Sequence, residues 1–212
     1  MGKFFNLDAP VIRFLGKVGE IMMLTALWLV CCLPFFTVGA ATAALYRLMF
    51  NLKEDSSTKV SDFFRAFKDN FKKGTLIWLI VLAVVAVLLV LYWLIAWVES
   101  DMIRLVLLLM FSALFFVTFI AVVYVFPLTA YFENTVAGTL RNAVAMGMGH
   151  LRKSIPACAL TMVPLIAYMV SYEFFIRLLF LWLVLAPGAI AYGIVCILTP
   201  VFRKYVPEET EE

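Results

Sequence analysis

CCLPFFTVGAATAALYRL, Cys31 to Leu48, is an apolar stretch with a proline in its middle and a string of small residues after it. Pro34 lacks a backbone donor and its ring crowds the preceding turn, so a helix through it kinks or breaks. The break frees a carbonyl near the residue four back, which Thr37 or a neighbouring helix can satisfy. Gly39, Ala40, Ala41, Ala43 and Ala44 then offer almost no side chain, and helices in lipid pack closest through such residues. Two readings follow: a packing seam with a proline bend, or a hinge where exposed backbone meets a substrate.

The stretch belongs to an uncharged run over residues 21–46, about 39 Å as a helix. Around it the 212-residue chain is 65% hydrophobic, 16% aromatic and only 15% charged, far from soluble composition. Four further apolar runs cover residues 74–98, 105–132, 155–172 and 178–202, each long enough to cross a bilayer. The expected fold is an all-α polytopic membrane bundle of about five transmembrane helices, in one integral domain over residues 1–212.

The connecting segments sort by charge, because Lys and Arg near span ends resist translocation. Residues 47–73, 133–154 and 203–212 hold twelve of the 17 lysines and arginines, including Arg47, Lys72, Lys73, Arg152, Lys153 and Arg203. The opposite side receives only Arg104 and Arg177, which places the basic segments and the C-terminus in the cytoplasm. A single crossing over 21–46 then carries Lys3, Arg13 and Lys17 outside, against that rule. A re-entrant helix, break and helix around Pro34 keeps both ends inside. A cleaved signal peptide with a site near Ala41 to Ala43 would instead export the lysine-rich loop.

The segment VFPLTAYFENT, Val125 to Thr135, repeats proline followed by threonine and tyrosine, with Pro127 and Thr129 standing as Pro34 and Thr37 do. Each copy leads to a basic pair before the next span, Lys72-Lys73 and Arg152-Lys153, which suggests a loose parallel duplication. Between them SDFFRAFKDNFKK is amphipathic: Phe63, Phe64, Phe67 and Phe71 share a helical face, and Ser61 is placed to cap it with Asp62 in the first turn. It reads as an elbow at the inner leaflet, its aromatics in the headgroup boundary and Lys72 and Lys73 meeting anionic lipid, or docking a cytoplasmic protein. Residues 139–153 form a softer version. The N-terminal FFNLDAPVIRFLGKVGEI is amphipathic too, with Asp8 placed to cap a helix containing Pro10.

No cofactor or metal is expected, since Cys31, Cys32, Cys158 and Cys196 all lie inside apolar runs without ligand spacing. The net charge of +3 follows from topology, so no nucleic-acid partner is expected. Glu133 and His150 share one island while Glu173 lies on the other face, which leaves no nucleophile and base pair and no enzyme expected. A neutral solute path would need a lining such as Tyr92, Trp93 and Thr118.

The segments FNLDAPVIRFLGKVGEIMMLTALWLVCCLPFFTVGAATAALYRL, FFRAFKDNFKKGTLIWLI and FPLTAYFENTVAGTLRNAV resemble the YesL-like family of bacterial membrane proteins, defined by domain of unknown function 624. Phe35-Phe36 stand where smaller aliphatics are more usual in that family. The resemblance implies a bacterial plasma membrane and, through the family's gene neighbours, a role beside carbohydrate ABC-type importers. The expected partners are therefore the lipid bilayer and an ABC transporter permease or cytoplasmic protein, with homo-oligomerisation left open. The expected function is a non-catalytic accessory, and the alternative is a small transporter or channel for a neutral solute.

Overall fold

The computed structural model describes residues 10–205. The expected Asp8 cap, Lys3 and the acidic tail lie outside the described residues. The first helix, α1 (Pro10–Cys32), begins on a proline, whose fixed φ and missing N–H suit a first turn. It stops two residues short of Pro34, which is extended at φ −76° and ψ 111° and leads into one turn of 3-10 helix, Phe35–Thr37. The chain then reverses into α2 (Val38–Lys53).

Three contacts fix the direction of α2. The Trp28 indole donates to Thr42 Oγ1 at 3.1 Å, the Glu20 carboxylate accepts from Thr58 Oγ1 at 2.7 Å, and Lys17 pairs with Asp55 at 2.7 Å. Trp28, near the end of α1, thus meets the start of α2, while Lys17 and Glu20, a few turns earlier in α1, meet residues just beyond the end of α2, so α1 and α2 form an antiparallel hairpin. Residues 21–46 are not one bent rod, because the extended Pro34 and the 3-10 turn fold the run back on itself.

The third helix, α3 (Val60–Ala96), runs unbroken for 37 residues, about 55 Å. The elbow at 61–73 and the apolar run at 74–98 are thus one helix rather than two, since the Gly74 between them sits inside it. Its start is held by the Asp62 carboxylate, which accepts from the Lys59 N–H at 3.0 Å, so the cap comes from Asp62 and not from Ser61. α4 (Asp101–Tyr131) returns beside α3, with Tyr92 against Phe111 and Trp78 against Phe126.

α5 (Val136–Gly149) folds back along α4, and α6 (Leu151–Val170) leaves it at His150. The six-residue α7 (Tyr172–Arg177) leads to α8 (Leu179–Phe202), which packs Gly193 on Leu160 of α6 and Gly188 on Ile21 of α1. The two proline motifs differ in form: Pro34 ends a helix, whereas Pro127 lies within α4. The basic pairs differ too, with Lys72-Lys73 inside α3 and Arg152-Lys153 in the first turn of α6.

The described residues contain six helices long and apolar enough to cross a membrane, the division of residues 21–46 adding one to the expected list. The core surrounds α2, which packs against α1, α3, α4 and α8. Beyond Trp78, α3 and α4 continue as a two-helix arm. Between Leu79 and Ala96, α3 buries only Val81, Leu88 and Ile95, each one heptad apart, and α4 buries nothing from Asp101 to Phe119.

Candidate functional site

Two features could carry function: the seam on α2 and a polar basin at the end of α2. In the seam, Gly39, Ala40, Ala41, Ala43 and Ala44 are all buried. A Cβ on Gly39 would overlap the Gly74 carbonyl oxygen and stand 2.6 Å from Trp78 Cβ, and one on Gly74 would stand 2.7 Å from Ala40 Cα. Backbone thus meets backbone, the approach that only glycine permits. The Thr37 hydroxyl lies 2.5 Å from the Cys31 carbonyl and 2.6 Å from that of Pro34, which also accepts from the Thr37 N–H at 2.9 Å, so the one hydroxyl proton is left for the Cys31 carbonyl freed at the break. At the hairpin tip the Trp78 indole donates to the Phe35 carbonyl at 3.0 Å, and the two rings meet edge-on.

The elbow aromatics are buried along only one edge of their face. Phe63 is fully buried in the core and Phe67 packs half-buried against it, while Phe64 and Phe71 point outward. Positions 63, 67, 71 and 64 follow one another across an arc of about 100° round the helix, and burial falls off from one edge of that arc to the other. α2 takes the inner pair because it lies along the same stretch of α3. Lys72 is exposed, but Lys73 turns inward and donates to the Phe132 carbonyl at 3.4 Å. Pro127 is buried inside α4, and Thr129 donates to the Val125 carbonyl at 2.7 Å within the same helix. The single histidine lies elsewhere, its ring on Tyr205 and its Nδ1 near the Met146 carbonyl. Glu173 pairs with Arg177 on α7, and no group of three His, Cys, Asp or Glu residues within metal-binding reach occurs among the described residues.

The basin was not foreseen. It encloses about 690 Å³ between the end of α2, the start of α3 and the α4–α5 link. α2 contributes Arg47, Asn51 and Glu54, α3 contributes Asp69, Asn70 and Lys73, and the link adds Glu133 and Asn134. Behind them Phe50, Tyr131 and Phe132 gather around Phe202, with ring centroids 4.8 to 6.1 Å apart. The available signal was the polar stripe Arg47, Asn51, Glu54 at helical spacing on an otherwise apolar segment. Read as loop residues beyond a span, these side chains gave no reason to converge.

The hairpin, its seam and the α2 and α3 sides of the basin fall within the stretch that one family model matches. A family model described as a protein of unknown function, DUF624, matches residues 21–92. That similarity runs from α1 through most of α3 and stops before α4, about a third of the chain. No curated protein and no solved structure matches the chain. The DUF624 similarity therefore bears on the hairpin and α3, and it carries no ligand or catalytic residue with it.

Proposed function

We propose that this chain is a non-catalytic accessory or assembly subunit in a bacterial plasma membrane, working beside a carbohydrate ABC-type importer. The observation that carries the reading is the α3–α4 arm, whose outward face is apolar over residues 79–97 and 105–119 apart from Ser112 and Thr118, with Leu89, Trp93, Met110 and Phe115 all exposed. Hydrocarbon or another membrane helix must cover such a surface. An arm joined to its own bundle mainly at one end leaves most of that surface for a neighbour. The carbohydrate importer comes from the YesL-like resemblance alone.

In this reading the α1–α2 hairpin keeps both its ends on the basic side. Lys17 meets Asp55, and Arg203 lies 3.8 Å from Glu54, so the first and last helices close on the end of α2. The positive-inside rule then puts that end, and the C-terminus, in the cytoplasm without exporting Lys17. Photo-crosslinking from Leu89 and Phe115 in native membranes, followed by identification of the adducts, tests the assembly. Adducts with a transporter permease support it, and adducts with lipid only count against it. The alternative, a stand-alone path for a neutral solute, draws support from the polar basin. Solute flux into liposomes holding this chain alone would favour it.

A further inference from the structure

We propose that the basin at the end of α2 binds a zwitterion, a small group carrying one oxyanion and one ammonium. The inference does not depend on the accessory reading. Its first support is charge. Arg47 and Lys73 face Glu54, Asp69 and Glu133 across one hollow, and Glu54 is already engaged by Arg203 at 3.8 Å. Two cations and two carboxylates remain. Arg47, Asp69 and Glu133 make no ion pair among the described residues, so opposite charges share the hollow without neutralising one another by contact.

A wall of that kind selects on charge distribution. A lone oxyanion gains from Arg47 and Lys73 but is repelled by Asp69 and Glu133, and a lone cation meets the reverse. A molecule with both ends collects both attractions and carries no net charge into a partly enclosed space.

The second support is an amide held ready. Asn70 is only 7% exposed, and its Nδ2 donates to the Ala66 carbonyl at 2.9 Å. This contact fixes the amide plane of a residue that lines the basin, and its Oδ1 has no hydrogen-bond partner among the described residues. Phe50 and Tyr131 form an aromatic wall suited to the methylenes or the ammonium of such a ligand. The volume lies in the range usual for small-molecule sites.

The third support is depth. Lys73 immediately precedes the apolar run of α3, Glu133 immediately follows that of α4, and Lys73 joins the two by its bond to the Phe132 carbonyl. The basin therefore sits where hydrocarbon-facing helix gives way to charge, the level of lipid headgroups. A zwitterionic headgroup and a soluble zwitterion share the same chemistry here.

The test uses the full chain in two settings. In detergent, the melting temperature is followed with glycerophosphoethanolamine, a phosphodiester with one ammonium and no net charge, and, at equal ionic strength, with inorganic phosphate or ethylamine alone. In phosphatidylglycerol nanodiscs it is followed with and without phosphatidylethanolamine. A rise with glycerophosphoethanolamine exceeding that of either fragment, or a rise with phosphatidylethanolamine, supports the site and identifies a free solute or a headgroup as its occupant. Arg47→Gln and Asp69→Asn, each melting like the parent without ligand, should weaken the response about tenfold. The proposal is overturned if phosphate or ethylamine alone matches the intact zwitterion, if the wild type responds in neither setting, or if both variants respond as the wild type does.

Discussion

Gly39 on α2 and Gly74 on α3 exclude each other's side chains: a Cβ built on either would strike the other helix's backbone. The contact closes the hairpin onto α3. Gly39→Ala should therefore lower the unfolding free energy in detergent by about 2 kcal/mol, as overpacked cores do, and Gly39→Leu by more. Gly19→Ala is the control, because nothing lies within 4 Å of a Cβ there. It should be neutral or stabilising by up to about 1 kcal/mol. Equal melting of Gly39→Ala and the parent would dismiss the seam.

Phe63 and Phe64 are neighbours in sequence with opposite fates. Phe63 is fully buried and Phe64 is 49% exposed. Phe63→Ser should cost at least about 3 kcal/mol by emptying a core site and placing a hydroxyl in it. Phe64→Ser should leave the melting transition almost unmoved. For the docking idea, Phe64 and Phe71 are the informative pair, since serine at Phe67 would disturb packing as well. Loss of a co-purifying partner from Phe64→Ser/Phe71→Ser, with melting unchanged, supports docking; unchanged recovery speaks against it.

That contrast marks what could be read from the sequence. The apolar runs disclosed the helices because hydrocarbon length and charge placement are one-dimensional properties. Small residues at Gly39 to Ala44 disclosed a close approach, but not to Gly74, because the partner of a bare surface is set by the fold. The turn at Pro34 hid behind an uncharged run, where a bent span and a hairpin have the same composition. Only charge arithmetic, which stranded Lys17 outside, pointed to the return. The basin stayed hidden because Arg47, Asp69 and Glu133 are far apart in sequence and look like ordinary flanking charges.

Thr37 should act as a clasp on the hairpin turn. Its hydroxyl lies 2.5 Å from the Cys31 carbonyl and 2.6 Å from that of Pro34, and the residue is only 5% exposed. Thr37→Val keeps the shape and removes the donor, so it should cost about 1 to 3 kcal/mol. Thr37→Ser should recover most of that loss. A valine variant as stable as the parent would show that the carbonyls find other partners.

Ser154 and Tyr124 form a buried hydroxyl pair 2.9 Å apart, and Ser154 also donates to the Gly147 carbonyl at 2.6 Å. With the serine proton on Gly147, the tyrosine must donate to Ser154 Oγ. Ser154→Ala strands both the Tyr124 hydroxyl and the Gly147 carbonyl and should cost about 2 to 3 kcal/mol. Tyr124→Phe leaves the bond from Ser154 to Gly147 in place and should cost about 1 kcal/mol. The double variant should fall short of the sum, since both changes remove the same bond. Strict additivity would mean that the two hydroxyls do not interact.

The hairpin makes a prediction about sidedness that needs no knowledge of partner or ligand. Antiparallel pairing through Lys17 with Asp55 and Glu20 with Thr58 brings the start of α1 to the side where α3 begins. α3 then carries the chain across to Ser100, beyond Ala96. Single cysteines replacing Lys17, Lys72 and Ser100, in a background where the four native cysteines are serine or alanine, can be labelled with a membrane-impermeant maleimide. In intact cells the first two should be protected and the third reactive, and inverted vesicles should reverse the pattern. Losing the Lys17 pair costs little, because it lies near the surface. Labelling of Lys17→Cys together with Ser100→Cys in intact cells would mean that residues 21–46 cross once after all. Labelling of Lys72→Cys from outside would invert the whole arrangement and remove the basis for a cytoplasmic basin.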